Sequence, residues 1–390
     1  MRILIAGAGI GGLTAAACLL KNGHQVRVFE QAQALGEIGA GVQTSANAVK
    51  VLFELGLREA LEQVAVRPRA FYFRRFDTGE LLHQIPLAEQ HEEANGAPYY
   101  HIHRADLHAL LARKVFDLDP HCIALNARAG HFMEDARGVT LHLGDGATAH
   151  GDVLIGADGI KSAVRRQIVG DTPVSYTGDV AWRAVIPAER LPAGLMERGV
   201  TVWCGPKRHA VMYFLRAGSL INFGGCVEQE RAGDESWTLR RPWEELKADF
   251  SGWHGDVQRV IDAIDRDSCY QWALNNRAPV ENWSTARATL LGDAAHPTLP
   301  YMAQGVAMAI EDAAVLARCL DRSEVPQALA LYQRNRIART TRIVHESTGM
   351  RLLYRIEDPE EMRRSFKERN LSKSRGEWLY SYDPLRVPLQ

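Results

Sequence analysis

The first twelve residues constrain the fold most, because they combine a strand, a glycine-rich turn and the start of a helix. Arg2–Ala6 is an apolar run typical of a buried parallel strand. The turn after it reads GAGIGG and leads into strong helix formers. Gly7 permits the tight turn, Gly9 admits a pyrophosphate close to backbone amides, and Gly12 lets helix and strand pack closely. Since a helix N-terminus attracts such an anion, this segment predicts a dinucleotide site.

An acidic residue at the end of the next predicted strand narrows the choice of nucleotide. Gln25–Phe29 is that strand, and Glu30 follows it, 18 residues after Gly12. A carboxylate there accepts hydrogen bonds from both hydroxyls of an adenosine ribose. It also disfavours a 2′-phosphate, so NAD and FAD remain. A chance cluster of glycines would explain neither the strand, the helix nor this acid.

A second glycine-bearing turn lies about 280 residues downstream of the first. It reads Gly292-Asp293-Ala294-Ala295-His296-Pro297, follows the short apolar strand Thr289–Leu291, and is succeeded by a mostly apolar helix that begins at Gly305. A single nucleotide site needs only one such turn. The two turns therefore predict either one long ligand contacted at both ends or two nucleotides.

Composition excludes several classes of protein. At 390 residues and 46% hydrophobic content, the chain can bury a large core in about two domains. A net charge of −1 offers no basic surface for nucleic acid. The six cysteines show neither CxxC nor metal-ligand spacing, so we expect reduced thiols and no metal site. The early first strand leaves no room for a signal peptide, and no apolar run reaches the roughly 20 residues of a membrane span, so a cytoplasmic location is expected.

The strand pattern changes along the chain in a way that predicts interleaved domains. Short alternating stretches begin near residue 70 and return, with glycine and proline breaks, between about 176 and 275. A sheet domain inserted into a nucleotide-binding domain explains this order. We expect the charged segment Met362–Glu377 to be a helix that is solvated or contacts another subunit, which is compatible with a homodimer. The expected parts are a discontinuous nucleotide-binding domain at 1–70, 100–175 and 276–345, a substrate-binding sheet domain at 71–99 and 176–275, and a helical tail at 346–390.

Three motifs in order carry a family resemblance. The turn at Gly7–Gly12 is followed by Gly156-Ala157-Asp158-Gly159 and then by Gly292–Pro297. In this order and at these separations, the motifs resemble the single-component FAD-dependent aromatic hydroxylases over nearly the whole chain. The resemblance implies an α/β fold in which a Rossmann-like FAD-binding domain is interleaved with a mixed-sheet α+β substrate domain, followed by C-terminal helices.

The resemblance also implies how FAD is bound. Glu30 is expected at the adenosine ribose, Arg104 near the pyrophosphate and ribityl chain, and Asp293 at the ribityl hydroxyls. Two plainer interpretations stay open: Arg104 in a surface ion pair, and Asp158 as the cap of a helix that starts near Ser162. The residues expected to contact the cofactor are Gly7, Gly9, Gly12, Glu30, Gly41, Val42, Arg104, Asp158, Asp293, Pro300 and Gly305.

The cofactor implies the reaction. In this family reduced flavin and O₂ form a C4a-hydroperoxide that hydroxylates an electron-rich aromatic ring. NADH or NADPH is the expected transient reductant, since no second glycine fingerprint follows a strand. A base for a ring hydroxyl is needed, and His209 and Tyr213, four residues apart on a predicted strand, face the same side. Family members that act on hydroxylated aromatic acids show this spacing; the alternative is an ordinary His and Tyr on a sheet. His296 is expected to be structural.

The residues expected around the substrate depart from each relative. The chain resembles the branch that contains salicylate 1-monooxygenase, 3-hydroxybenzoate 6-hydroxylase and 6-hydroxynicotinate 3-monooxygenase. It has Pro300 where the hydroxybenzoate enzymes have Gln, and Gln43, Val200 and Tyr301 where the hydroxynicotinate enzymes have His, Cys and His. These replacements favour an apolar, phenol-like pocket. The expected substrate contacts are Met212, Tyr213, Pro300, Tyr301 and Met302, with Arg183 and Arg208 as candidate carboxylate ligands.

Hydroxylation of a hydroxybenzoate is therefore expected, with salicylate first and decarboxylation to a catechol. The alternatives within the family are 3-hydroxybenzoate 6-hydroxylation, 6-hydroxynicotinate 3-hydroxylation, and a tailoring hydroxylase or epoxidase for a larger neutral molecule. An NAD-dependent dehydrogenase would leave the second turn unexplained. A flavoprotein used for binding or sensing would show no substrate-stimulated NADH consumption. The expected partners are an aromatic small molecule and O₂.

Overall fold

A computed structural model describes residues 1–36, 40–230 and 239–390, without the side chain of Ser372. The strands, numbered in chain order, are β1 (Arg2–Ala6), β2 (Gln25–Phe29), β3 (Gly41–Thr44), β4 (Ala70–Arg75), β5 (Leu81–Pro86), β6 (Tyr100–His103), β7 (Ile123–Ala124), β8 (Ala129–Glu134), β9 (Val139–Leu143), β10 (Thr148–Gly151), β11 (Val153–Gly156), β12 (Ser175–Pro187), β13 (Val200–Gly205), β14 (Arg208–Leu215), β15 (Leu220–Glu228), β16 (Tyr270–Asn276) and β17 (Ala288–Leu290).

The helices cluster around these strands and at the C-terminal end. None of those described combines the length and the apolar character that a membrane span requires. The α-helices are α1 (Ile10–Lys21), α2 (Ala46–Glu54), α3 (Arg58–Val64), α4 (Glu89–Asn95), α5 (Arg104–Leu118), α6 (Ala163–Val169), α7 (Trp243–Asp249), α8 (Gly255–Asp262), α9 (Gly305–Leu320), α10 (Val325–Tyr354), α11 (Pro359–Arg369) and α12 (Leu371–Arg375). Short 3₁₀ turns lie at Ala188–Arg190, Arg216–Gly218, Arg266–Ser268, Gly292–Ala294 and Pro300–Met302, and a π-helical turn lies at Gly376–Tyr380.

A five-stranded parallel sheet holds the glycine-rich turn. Its order is β17–β11–β1–β2–β7. The central strands are short apolar runs, as is usual for parallel strands covered on both faces. Helix α1 begins at Ile10, directly after the turn, and packs against α5 and α9. The strand, turn and helix expected at the start of the chain are confirmed.

The larger sheet has seven strands and is mixed. Its order is β16–β12–β15–β14–β13–β4–β5, with β13 parallel to β4 and the other neighbours antiparallel. One face packs on α7 and α8 through a cluster that includes Trp182, Met212 and Phe250. The other face belongs to a cluster that includes Val200, Tyr213 and Phe366. These strands lie at 70–86 and 175–276, and the division of the chain into domains stays a prediction.

Part of the C-terminal tail belongs to the core, so the expectation of a solvated helix is wrong for its buried face, while a contact with another subunit stays a prediction. Met362 and Phe366 of α11 are buried, and so are Leu379 and Tyr380 after it. Met362 and Phe366 are four residues apart and therefore share one face of the helix, while the charged residues occupy the others. The high density of charge in the sequence concealed this narrow apolar stripe.

Candidate active site

A cavity of about 380 Å³ lies between the glycine-rich turn and the seven-stranded sheet. It brings together residues from both ends of the chain, from Gly9 to Arg375. The predicted site residues that line it are Gly9, Val42, Arg104, His209, Tyr213, Asp293, Pro300, Tyr301, Met302 and Gly305. Residues that line it without having been predicted include Phe71, Val202, Asn222, Tyr354 and Arg375.

The three fingerprint glycines meet different steric demands. Gly7 has φ of +100°, and a Cβ there would lie 2.5 Å from the carbonyl oxygen of Ala157. A Cβ at Gly12 would lie 2.0 Å from the carbonyl oxygen of Gly7, so helix and turn are in direct contact there. A Cβ at Gly9 would meet nothing within 4 Å. The space above Gly9 is therefore open to a ligand, which fits the pyrophosphate of the expected cofactor.

Glu30 is held at the end of β2 by backbone donors. Its carboxylate accepts hydrogen bonds from the amide of Ala8 at 2.8 Å and from the amide of Ala32 at 2.9 Å. These bonds orient the carboxylate against the glycine-rich turn while lone pairs remain for ribose hydroxyls. Its contact with a nucleotide stays a prediction, and the placement is compatible with that role.

Two of the four charged residues expected at the cofactor, Arg104 and Asp293, line the cavity. Arg104 is the first residue of α5, and its amide donates to the carbonyl oxygen of Ala40 at 2.9 Å. Asp293 lies on the second glycine-bearing turn and is exposed to the cavity. Asp158 instead accepts a hydrogen bond from the amide of Ala163 at 2.8 Å, at the start of α6. The helix-capping interpretation of Asp158 describes this contact, and its role toward a cofactor stays a prediction.

The loop between the second turn and α9 places a helix N-terminus at the cavity. Pro300–Met302 forms a 3₁₀ turn, and Ala303 follows with φ of +53° in the left-handed region. Gly305 and Val306, the first residues of α9, line the cavity. The α9 macrodipole therefore stabilises negative charge that develops on a ligand at this end of the cavity.

A buried ionic network fixes that loop from behind. His296 Nε2 lies 2.6 Å from Asp312 Oδ2, and the same carboxylate accepts the amide of Gly292 at 3.0 Å. Arg336 donates through Nε to Asp312 Oδ1 at 2.7 Å. Burial opposes ionisation of Asp312, but the facing His296 and Arg336 hold its pKa down to about 2. His296 pairs with Asp312 and does not line the cavity, which is compatible with the structural role expected of it.

Strand β14 presents His209, Val211 and Tyr213 to the cavity. Alternate residues of a strand face opposite sides, so Met212 points to the cluster beneath the sheet with Trp182. The expectation that Met212 forms a wall of the substrate pocket is therefore wrong. Arg208, on the same parity as Met212, does not line the cavity either, whereas Arg183 does.

His209 is a buried imidazole with an unused nitrogen. It is 1% exposed, and its ring lies 5.0 Å from that of Tyr301 and 5.1 Å from that of Tyr354 between centroids. Its Nδ1 has no hydrogen-bond partner among the residues described. Burial, reinforced by the positive charges of Arg355 and Arg351, holds the pKa of His209 well below 6.5. The ring is therefore neutral and can accept a proton at the cavity.

Hydrogen bonds hold Tyr301 in place at the wall of the cavity. Its hydroxyl donates to the buried carboxylate of Asp179, which also receives Arg355 Nη1 at 2.6 Å and Arg351 Nη2 at 3.0 Å. The Tyr354 hydroxyl donates to the carbonyl oxygen of Tyr301 at 3.1 Å. Tyr301 was predicted at the pocket but Tyr354 was not, because no motif marks the last residue of the long helix α10 as a pocket residue.

Comparison with known proteins agrees with this geometry. A family model described as FAD binding domain matches residues 1–347. A 6-hydroxynicotinate 3-monooxygenase from Pseudomonas fluorescens is 37% identical, over 100% of this chain and 96% of the relative. A 3-hydroxybenzoate 6-hydroxylase from Polaromonas naphthalenivorans is 37% identical, over 98% and 96%. A solved salicylate hydroxylase substrate complex superposes with a TM-score of 0.84 at 26% identity, covering 98% of this chain and 96% of that one.

Proposed function

The chain belongs to the FAD binding domain family as an FAD-dependent aromatic monooxygenase, and from this we propose that it hydroxylates a benzoate that carries a ring hydroxyl. The observation that carries the proposal is the neutral, buried His209 with its unused Nδ1 in a cavity continuous with the glycine-rich turn. The relatives support 3-hydroxybenzoate as the first substrate to test. Salicylate, which the sequence placed first, is the second, on the likeness to salicylate hydroxylase.

Residues at one end of the cavity are suited to hold FAD. The open space above Gly9, the guanidinium of Arg104, the carboxylate of Asp293 and the N-terminus of α9 provide for its phosphates, ribityl hydroxyls and ring. When bound, the flavin accepts hydride from NADH or NADPH and activates O₂ for transfer of one oxygen atom.

His209 prepares the substrate ring. We place the ring hydroxyl at Nδ1 of His209, which accepts the proton as the ring becomes electron-rich. The buried imidazole resists protonation on its own, and the phenolate formed beside it offsets that cost by charge attraction. Tyr213, on the same face of β14, keeps its proton because burial raises the pKa of its phenol, so it acts as a hydrogen-bond donor to the substrate oxygen.

The pocket walls favour a benzene ring over a pyridine ring. Gln43 and Tyr301 line the cavity at positions where the hydroxynicotinate enzymes were expected to carry histidines. Gln43 Oε1 already accepts the Tyr99 hydroxyl at 2.8 Å, and the Tyr301 hydroxyl is committed to Asp179. The Tyr301 proton is therefore not available to a ring nitrogen, whereas Val202, Met302 and the aromatic rings provide apolar contact.

The test is NADH or NADPH oxidation by the flavin-loaded protein with peroxide and products quantified. The substrates are 3-hydroxybenzoate, salicylate, 4-hydroxybenzoate and 6-hydroxynicotinate. Stimulation by 3-hydroxybenzoate, with a dihydroxybenzoate product that keeps its carboxylate and little peroxide, supports the first choice. A catechol and CO₂ from salicylate would support the second instead. Stoichiometric peroxide with every acid, or activity confined to bulky neutral phenols, would overturn the proposal.

A further inference from the structure

We propose that Arg375, from the C-terminal helix α12, binds the carboxylate of the aromatic substrate. This inference rests on the proposed function, which requires an acid as substrate. Arg183 and Arg208 were the residues expected from the sequence to bind a substrate carboxylate. Arg375 lies outside every motif of the family resemblance and reaches the cavity only because the tail packs back onto the seven-stranded sheet.

The charge of the buried Arg375 favours an anionic ligand. Arg375 is 3% exposed and lines the cavity. Its neighbours are the phenols of Tyr354 and Tyr380 and the ring of Phe71, whose centroid lies 5.8 Å from the guanidinium carbon. Within the described parts of the chain no carboxylate forms an ion pair with it. A buried cation without a counter-ion is costly, so an anionic ligand would stabilise this arrangement.

One guanidinium nitrogen of Arg375 is an unused hydrogen-bond donor. Arg375 Nη2 is buried and has no hydrogen-bond partner among the residues that the structure describes. Buried polar atoms are almost always hydrogen-bonded, and an unpartnered one at a cavity indicates a ligand atom. A guanidinium is the donor best matched to a carboxylate, because it can donate two parallel N–H bonds.

Tyr354 connects the positions of Arg375 and His209. The Tyr354 ring lies 5.1 Å from the His209 ring, and the Tyr354 phenol lies beside Arg375. The proposed proton acceptor and the guanidinium with the unused donor are therefore both neighbours of Tyr354. A ring that places its hydroxyl at His209 can direct a carboxylate toward Arg375, so one substrate uses both groups.

The other cavity arginines serve different surroundings. Arg104 begins α5 on the side of the glycine-rich turn, where cofactor phosphates are expected. The Arg183 guanidinium carbon lies 4.9 Å from the centroid of the Trp272 ring, and its side chain is only half-buried. Arg375 differs from both because it is almost fully buried and lies beside Tyr354, which also contacts the proposed base.

The test compares Arg375→Gln and Arg375→Lys with Lys373→Gln, a matched loss of charge at a position on the same helix that is 70% exposed. Binding of benzoate, 3-hydroxybenzoate and the neutral 3-hydroxybenzamide to the flavin-loaded protein is measured by calorimetry, without turnover. We expect Arg375→Gln to raise the Kd for both acids by roughly 10- to 100-fold and to leave the Kd for the amide unchanged. Arg375→Lys should restore part of the loss, and Lys373→Gln should bind like the wild type.

The inference fails if Arg375→Gln binds the acids as tightly as the wild type. It fails equally if the variant loses acid and amide alike, or if the wild type binds neither acid. Flavin content and melting temperature identify a variant that has not folded. If Arg375→Gln does not fold, Arg375→Lys is compared with the wild type, to see whether only the Kd values for the acids change. Binding that needs Arg375 in a protein that hydroxylates no aromatic acid would sustain this inference and overturn the proposed function.

Discussion

The phenol of Tyr213 lies directly against the backbone of Gly41. A Cβ on Gly41 would come within 2.5 Å of the Tyr213 oxygen, and the Gly41 amide donates to Asn222 Oδ1 at 2.8 Å. This close approach requires glycine at position 41, and the expected contact of Gly41 with a cofactor stays a prediction. The preceding residues of its loop, Glu37, Ile38 and Gly39, lie outside the described part of the chain.

Replacing Gly41 with alanine should therefore impair turnover through Tyr213. The added methyl group displaces the phenol from its position beside the substrate, and a displacement of about 1 Å can cost roughly 100-fold in rate. We expect kcat to fall by one to two orders of magnitude, as rough limits, with flavin content maintained. The measurement is steady-state NADH oxidation. Gly349→Ala is the matched control, because a Cβ there meets nothing within 4 Å; equal rates for the two variants would contradict the prediction.

His209→Asn should remove the proton acceptor. We expect kcat to fall by roughly 10²–10⁴-fold, and to recover in part as pH approaches the phenol's own pKa of about 10, where the substrate ionises unaided. The wild type should keep its activity as pH falls through 6.5, because the lowered pKa of His209 keeps the imidazole neutral there. His121→Asn, an exposed position, is the control. A pH-independent loss in His209→Asn would assign this residue a purely steric role.

Stability should decline in mild acid because buried histidines resist protonation. Burial lowers the pKa of His91 to about 4 and that of His101 to about 3. The unfolded chain binds protons below pH 6.5 while these folded sites do not, so the free energy of unfolding falls from about pH 6.5 down toward pH 4. Melting temperature against pH measures this. His101→Gln should flatten the profile above pH 5, and an unchanged slope would show that other groups control it.

Asp312→Asn should destabilise the fold substantially. The change removes a buried charge that faces Arg336 and His296, and breaking such a pair costs about 3–5 kcal/mol. Arg336 keeps its ion pair with Glu311 at 2.7 Å, so we expect the lower end of that range. The control is Glu346→Gln, whose exposed ion pair with Arg342 contributes no more than about 0.5 kcal/mol. Denaturant unfolding at pH 7 compares them, and equal losses would contradict the prediction.

The residues alone indicate an α/β fold with a dinucleotide site, and the family resemblance adds FAD and the class of reaction. The glycine-rich turn and Glu30 indicate a dinucleotide locally, because each belongs to a short segment whose backbone must adopt one shape, and they leave NAD and FAD open. The placement of His209 and Tyr213 on one face followed from the two-residue period of a strand. The same period, applied to Met212, would have excluded it from the pocket.

The residues far from any motif that line the cavity are recognised only in the folded chain. Arg375 and Tyr354 reach the cavity because the apolar stripe of the tail packs onto the seven-stranded sheet. Asp158 accepts a hydrogen bond at the start of α6, and its motif alone does not show whether it contacts this helix or the cofactor. Contacts between residues far apart in the chain depend on how the layers pack. No local pattern records that packing, and so the position of Arg375 at the cavity is visible only in the folded protein.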